Sequence, residues 1–160
     1  MIKSARQAPF AILDDEEATA AFGRLLGDAA QRGDVIFLRG DLGAGKTSLA
    51  RAAIRQRLTA PEDVPSPTFT IVQQYETSPP IWHVDLYRIG DESEIIEIGL
   101  EEAFSEAICL IEWPDRLGAL TPSRRLEITL TMLDDNARRC EWVAHGEGWA
   151  HIATSLCGEA

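Results

Sequence analysis

Gly40-Asp41-Leu42-Gly43-Ala44-Gly45-Lys46-Thr47 is the stretch on which the reading of this chain turns. It satisfies G-x-x-x-x-G-K-[ST], the phosphate-loop pattern. Its glycines let the backbone curl so that successive N–H groups point into one concavity, where they can bind phosphate oxygens. A helix beginning near Gly45 adds its N-terminal dipole and unpaired N–H groups. Lys46 supplies a mobile charge for the β- and γ-phosphates, and the Thr47 hydroxyl is placed to ligate Mg²⁺.

The pattern needs a strand before it and a helix after it, and the flanking sequence supplies both. Val35-Ile36-Phe37-Leu38 reads as a buried strand of a parallel sheet. From Lys46 to Leu58, the residues Leu49, Ala50, Ala53, Ile54 and Leu58 recur on one helical face. Working outward, Asp14 to Ala30 has helical spacing with Asp14 or Asp15 as N-cap, and Pro61, Pro65 and Pro67 mark a loop. Thr68–Tyr75 and Ile81–Tyr87 are rich in strand formers, a helical stretch is expected from about Glu92 to Phe104, and Ala107–Ile111 reads as another buried strand. Leu126 to Met132 alternates as a half-exposed strand. A turn at Asp134–Ala137 leads into a partner strand, Arg139–Ala144, and a short helix is expected after Gly148. Interleaved helices and buried strands followed by a hairpin predict an α/β fold. It is a P-loop NTPase-like three-layer sandwich, with a mostly parallel sheet and some antiparallel strands, expected as a single domain over residues 1–160.

A nucleoside triphosphatase also needs a carboxylate at the end of a neighbouring strand to hold Mg²⁺ or its waters. Asp85 ends Ile81-Trp82-His83-Val84, and Glu112 ends the more apolar Ile108-Cys109-Leu110-Ile111. Ligands of open α/β sheets collect at the carboxyl ends of strands, where both acids fall, although solvated acids occupy strand ends as well. Ser66-Pro67-Thr68-Phe69-Thr70 reads either as a switch that senses the γ-phosphate or as an ordinary loop. Trp113-Pro114 suits a partner-facing surface or core packing. His83 is read as facing away from Asp85, and His145 and His151 as surface residues without a constellation. No N-K-x-D guanine-specificity pattern is present, which favours ATP over GTP.

Composition narrows the function further. The chain has 26 acidic against 15 basic residues, a formal net charge of −11. A protein that grips nucleic acid on its own neutralises phosphates with Lys and Arg, so strong direct nucleic-acid binding is not expected. Cys109, Cys140 and Cys157 form no C-x-x-C pair, and Cys109 sits in an apolar run as a small hydrophobe. No apolar run approaches the roughly 20 residues that cross a bilayer, and Met1 to Arg6 leads into no apolar leader segment. A cytoplasmic protein is expected.

Together, Gly40 to Ser48, Ser66 to Thr70, His83-Val84-Asp85-Leu86-Tyr87-Arg88, Gly99-Leu100-Glu101-Glu102 and Ile111-Glu112-Trp113-Pro114 resemble the TsaE (YjeE) family of bacterial ATPases, in the family's order and over most of residues 15 to 140. The resemblance implies a Mg²⁺-dependent ATPase subunit that joins TsaB and TsaD in making threonylcarbamoyladenosine in tRNA. It implies that Gly40, Asp41, Leu42, Gly43, Ala44, Gly45, Lys46, Thr47 and Ser48 hold the nucleotide. Thr47 and Glu112 would then lie at Mg²⁺, Asp85 would assist the metal or the water, and Thr68 would belong to the switch. Lys46, Asp85 and Glu112 are the residues expected to carry catalysis. Thr19 and Arg138 match family positions near the nucleotide and in the late hairpin. Two departures stand out: Asp115 replaces a common Glu, and Ala137 a glycine often found before the arginine. Two alternatives remain open. One is a small-molecule kinase, although Arg116, Arg124-Arg125 and Arg138-Arg139 form no compact lid. The other is a nucleotide-dependent adaptor without turnover.

Overall fold

Val35–Arg39 lies at the middle of the sheet, and the rest of the molecule is arranged around it. The computed structural model describes residues 8–157, so Met1 to Arg6 lies outside the described residues. In chain order the elements are β1 (Phe10–Leu13), α1 (Glu16–Ala29), β2 (Val35–Arg39), α2 (Lys46–Arg57), β3 (Val72–Tyr75), β4 (Ile81–Asp85), α3 (Glu92–Ile98), α4 (Leu100–Glu106), β5 (Ile108–Glu112), β6 (Arg125–Met132), β7 (Arg138–His145) and α5 (Ala150–Cys157). The seven strands form one sheet in the order β1-β7-β6-β2-β5-β4-β3. The central β4, β5, β2 and β6 are mutually parallel. The outer pairings β3/β4, β6/β7 and β1/β7 are antiparallel.

Side chains alternate across a strand, so β2 serves two cores. Ile36 and Leu38 pack with Phe22 and Leu26 of α1, Leu49 and Ile54 of α2 and Ile152 of α5. Val35 and Phe37 pack on the other side with Ile95, Leu100, Ile111 and Leu117. This is the three-layer sandwich expected from the sequence. Among the described residues no helix is long and apolar enough to cross a membrane.

Helix α1 starts where the Asp15 carboxylate accepts a hydrogen bond from the Ala18 amide at 2.8 Å, with Glu16 and Glu17 favouring the positive end of its dipole. It then lies unusually close to α2. A Cβ on Gly23 would come within 2.5 Å of the Leu49 carbonyl oxygen and 2.8 Å of Ala52 Cβ, and one on Gly27 would run into the Ala53 backbone. Two glycines one turn apart thus let α1 press on the helix that follows the phosphate loop.

The structure departs from the sequence reading in four places. The helix expected from Glu92 to Phe104 is two helices, because Gly99 adopts φ 83° between them. The strand expected from Thr68 begins at Val72, since residues 67–70 turn, with the Ile71 amide donating to the Pro67 carbonyl at 2.7 Å. Strand β1, read from no sequence signal, adds to the hairpin edge opposite Arg138–Glu141. Strand β7 starts one residue earlier than expected, at Arg138. The late turn needs no glycine at Ala137, whose φ is −77°, because Asp135 and Asn136 take the positive φ angles.

Candidate phosphate-binding site

The chain leaves β2 at Arg39 and turns through Gly40 (φ 148°), Gly43 (82°) and Gly45 (104°) into the first turn of α2. Two of these glycines are also required by space. A Cβ on Gly40 would approach the Leu130 carbonyl oxygen to 2.6 Å, and one on Gly45 would approach Arg138 Nε to 2.9 Å. The Ala44 amide donates to the Asp41 carbonyl at 3.0 Å, closing the loop, and the Ala44 side chain points into the core. Lys46, Thr47 and Ser48 open α2 and line the cleft, where the amides of a helix's first turn are suited to an anion.

Lys46 is the first residue of α2 and is only 5% exposed. Its Nζ donates to the Gly40 carbonyl at 2.6 Å and sits 3.7 Å above the centre of the Trp113 ring. Burial lowers its pKa, against the opposing pull of Glu112, Asp85 and Asp41. Trp113 reaches this position because its backbone takes φ 57°, ψ 52° directly after β5, and Tyr87 packs against its indole at 5.0 Å between ring centres. Trp113 therefore lines the cleft over the lysine. The next acid, Asp115, pairs with Arg39, which also pairs with Glu127 at 2.9 Å.

Asp85 and Glu112 end neighbouring parallel strands in direct register. Glu112 is 2% exposed, accepts a hydrogen bond from Thr47 Oγ1 at 3.0 Å and shares one with His83 Nε2 at 2.8 Å. This corrects the sequence reading of His83. Residues two apart on a strand share a face, so His83 and Asp85 lie on the same side of β4, and the imidazole reaches diagonally to Glu112. Burial raises the pKa of Asp85, with Glu112 adding to the rise and the Tyr87 amide opposing it. That amide donates to Asp85 Oδ1 at 2.9 Å, and Thr68 Oγ1 lies 3.5 Å from Oδ2. The Ser66 and Thr68 hydroxyls share a hydrogen bond at 2.8 Å.

Lys46, Thr47, Thr68, Asp85, Glu112 and Arg138 line one cleft of about 250 Å³, together with Leu42, Gly43, Gly45 and Ser48 of the loop. Gly40, Asp41 and Ala44 shape the loop from behind. Thr19 is fully buried and meets the cleft through Arg138, whose Nη1 donates to Thr19 Oγ1 at 3.3 Å. Glu16 also lines the cleft; at sequence level it reads only as a first-turn helix acid. His145 and His151, expected as isolated surface residues, have partners away from the cleft: Glu127 at 2.9 Å and the buried Asp34 at 2.7 Å. Burial pushes the Cys109 thiol up to about 12, which leaves it no role as a nucleophile.

These residues suit a nucleotide and a hard cation. The buried Arg138 Nε has no hydrogen-bond partner among the described residues and lies against Gly45, where an anion on the loop would meet it. Among the described residues no group of three or more His, Cys, Asp or Glu side chains is arranged to hold a metal. The oxygen donors Thr47 and Glu112 match instead the way Mg²⁺ is held, by one or two protein oxygens completed by phosphate and water.

Fold and loop together define a P-loop α/β protein. The family model for threonylcarbamoyl adenosine biosynthesis protein TsaE matches residues 13–140, and the chain belongs to that family. It is 38% identical over 135 residues to the tRNA threonylcarbamoyladenosine biosynthesis protein TsaE of Rickettsia felis, covering 84% of this chain and 79% of that protein. To the Bacillus subtilis protein of the same name it is 37% identical over 142 residues, 88% of each chain. Among solved structures, the crystal structure of YdiB from Bacillus matches with a TM-score of 0.79 at 28% identity, over 96% of this chain and 97% of that one.

Proposed function

We propose that this chain binds ATP with Mg²⁺ at the Gly40–Thr47 loop, hydrolyses it, and does so in the cytoplasm as a subunit acting with TsaB and TsaD in threonylcarbamoyladenosine modification of tRNA. The observation that carries the reading is the convergence of Lys46, Thr47, Glu112 and Asp85 in one cleft at the carboxyl ends of β2, β4 and β5. Mg²⁺, when bound, supplies charge neutralisation of the phosphates.

In this reading the loop amides and Lys46 hold the phosphates. The bond from Lys46 to the Gly40 carbonyl is one that a phosphate oxygen can replace. Thr47 and Glu112 hold the cation. Asp85, whose carboxyl burial pushes up, accepts a proton from the attacking water. Thr68 touches Asp85 from the Ser66–Thr70 loop, so that loop can respond to the terminal phosphate. Hydrolysis is favoured over transfer to an acceptor by the arginines. Arg124 is engaged with Asp34, Arg125 with Glu127 and Arg139 with Glu141, while Arg138 lines the cleft where the nucleotide would lie. The net charge of −11 fits a subunit whose partners hold the tRNA.

Lys46→Ala is expected to abolish ATP binding and hydrolysis, measured by calorimetry and phosphate release. Unchanged hydrolysis in that variant sinks the proposal. Turnover measured with and without purified TsaB and TsaD separates a partner-dependent ATPase from an adaptor that never turns over.

A further inference from the structure

His83 is fully buried on β4, at 0% exposure. Its Nε2 lies 2.8 Å from Glu112 Oε2, while its Nδ1 is buried without a hydrogen-bond partner among the described residues. A carboxylate that holds a cation can only accept hydrogen bonds, so the tautomer that serves such a carboxylate here carries its proton on Nε2. Among the described residues the side-chain hydrogen-bond partner of the imidazole is Glu112, at the mouth of the phosphate loop.

Glu112 needs such a partner. It is nearly as buried, and its other side-chain hydrogen-bond partner among the described residues is the Thr47 hydroxyl, at 3.0 Å from Oε1 and 3.3 Å from Oε2. With Thr47 alone the carboxylate is free to rotate about its last torsion. The bond from His83 fixes one oxygen against β4 and turns the other toward Thr47, where the phosphate loop begins its helix. We propose that His83 is a positioning residue that orients Glu112, through its Nε2–H, for a divalent cation held jointly with Thr47. The inference rests on the Mg²⁺-nucleotide reading above. Groups that orient a metal ligand in this way are worth about 10–100-fold in metal affinity.

The test is the binding of a fluorescent ADP analogue to the full chain, titrated with Mg²⁺ and repeated in EDTA, for wild type, His83→Leu and His83→Gln. Leucine removes the donor, whereas glutamine carries an N–H donor at about the reach of Nε2. In EDTA all three proteins are expected to bind the analogue equally. The Mg²⁺ concentration at half-effect is expected to rise at least about tenfold in His83→Leu and to stay within about threefold of wild type in His83→Gln. Thermal unfolding of each variant reports whether it is folded, and the glutamine variant keeps the test decisive if leucine disrupts the fold. A His83→Leu protein with the wild-type Mg²⁺ midpoint, or a His83→Gln protein as impaired as His83→Leu, overturns the inference. A wild type that gains nothing from Mg²⁺ overturns the proposed function and this inference together. A wild type that gains, with His83→Leu gaining equally, refutes only the role of His83.

Discussion

Replacing Gly23 by alanine should destabilise this protein, although the same change at an exposed helical site does the opposite. In an open helix alanine is favoured over glycine by about 1 kcal/mol. Here the new methyl would lie 2.5 Å from the Leu49 carbonyl oxygen, and ordinary contact begins near 3.4 Å, so α1 and α2 must part by 3.4 − 2.5 = 0.9 Å at that point. The obstacle is backbone together with Ala52 Cβ at 2.8 Å, neither of which can swing aside. Overpacking of this kind costs about 1–3 kcal/mol, and rigid neighbours favour the upper half of that range. Net destabilisation of about 1–2 kcal/mol is expected, or a Tm lower by roughly 3–6 °C for a chain of this size. Gly27→Ala meets the Ala53 backbone and should behave alike. Thermal and urea unfolding followed by circular dichroism measure both. A Gly23→Ala protein that melts above wild type would refute the close-approach argument outright. Because α2 carries Lys46 and Thr47 in its first turn, nucleotide affinity should fall together with stability.

Three more expectations follow from particular side chains. Burial alone would raise the Glu127 carboxyl, but hydrogen bonds and charge from Arg39, with His145 and Arg125, outweigh it and hold the pKa below the ordinary value of 4.5. Such a group stabilises the fold above its unfolded pKa and loses that contribution as pH falls through its folded one. Glu127→Gln should therefore flatten the fall in urea midpoint below about pH 4.5, and parallel curves would contradict this. Cys109 and Cys140 are buried, with thiols pushed to about 12, so a thiol reagent should label Cys157 quickly in the native protein and all three cysteines only in denaturant; a second fast thiol would argue against the burial. Nucleotide that draws Lys46 off the Trp113 ring breaks a cation–π contact worth about 0.5–2 kcal/mol. Tryptophan emission should then change on ATP addition in wild type and not in Trp113→Phe, and an equal change in both would place the signal elsewhere.

The loop, the helix after it and the acids at two strand ends were legible because each is a local pattern: a spacing of glycines, a 3.6 period, an apolar run that stops at a carboxylate. What stayed hidden depends on distance in sequence. Phe10–Leu13 is strand only because Arg138–Glu141 pairs with it, and no periodicity in four residues announces that. Gly23 and Gly27 look like weak points in a helix until α2 lies across them. His83 shares a face with Asp85 by the period of two, but its bond to Glu112 joins residues 29 apart and has no local signal. The partners of His145 and His151 are likewise far away in the chain, Glu127 across the hairpin and Asp34 at the start of β2. Gly99 punctuates the stretch in sequence, but only its positive φ shows that it ends one helix and opens another. Trp113 packs partly against the core on the α3/α4 side, as one of its two readings had it, but its left-handed backbone also folds it over its own cleft, which no local pattern announces.

The position of β2 has a further consequence for how ligand binding would register in the whole molecule. Edge strands such as β1 and β3 can open locally while the centre holds, because each is paired on one side only. Strand β2 is paired on both sides and feeds two cores, so no partial opening releases it without dissolving both. The phosphate loop hangs from that strand, and its state is tied to global unfolding. A ligand that binds only the folded loop would therefore raise the unfolding free energy of the entire chain, by about 2.7 kcal/mol at a hundredfold excess over Kd, which makes the melting temperature itself a measure of occupancy.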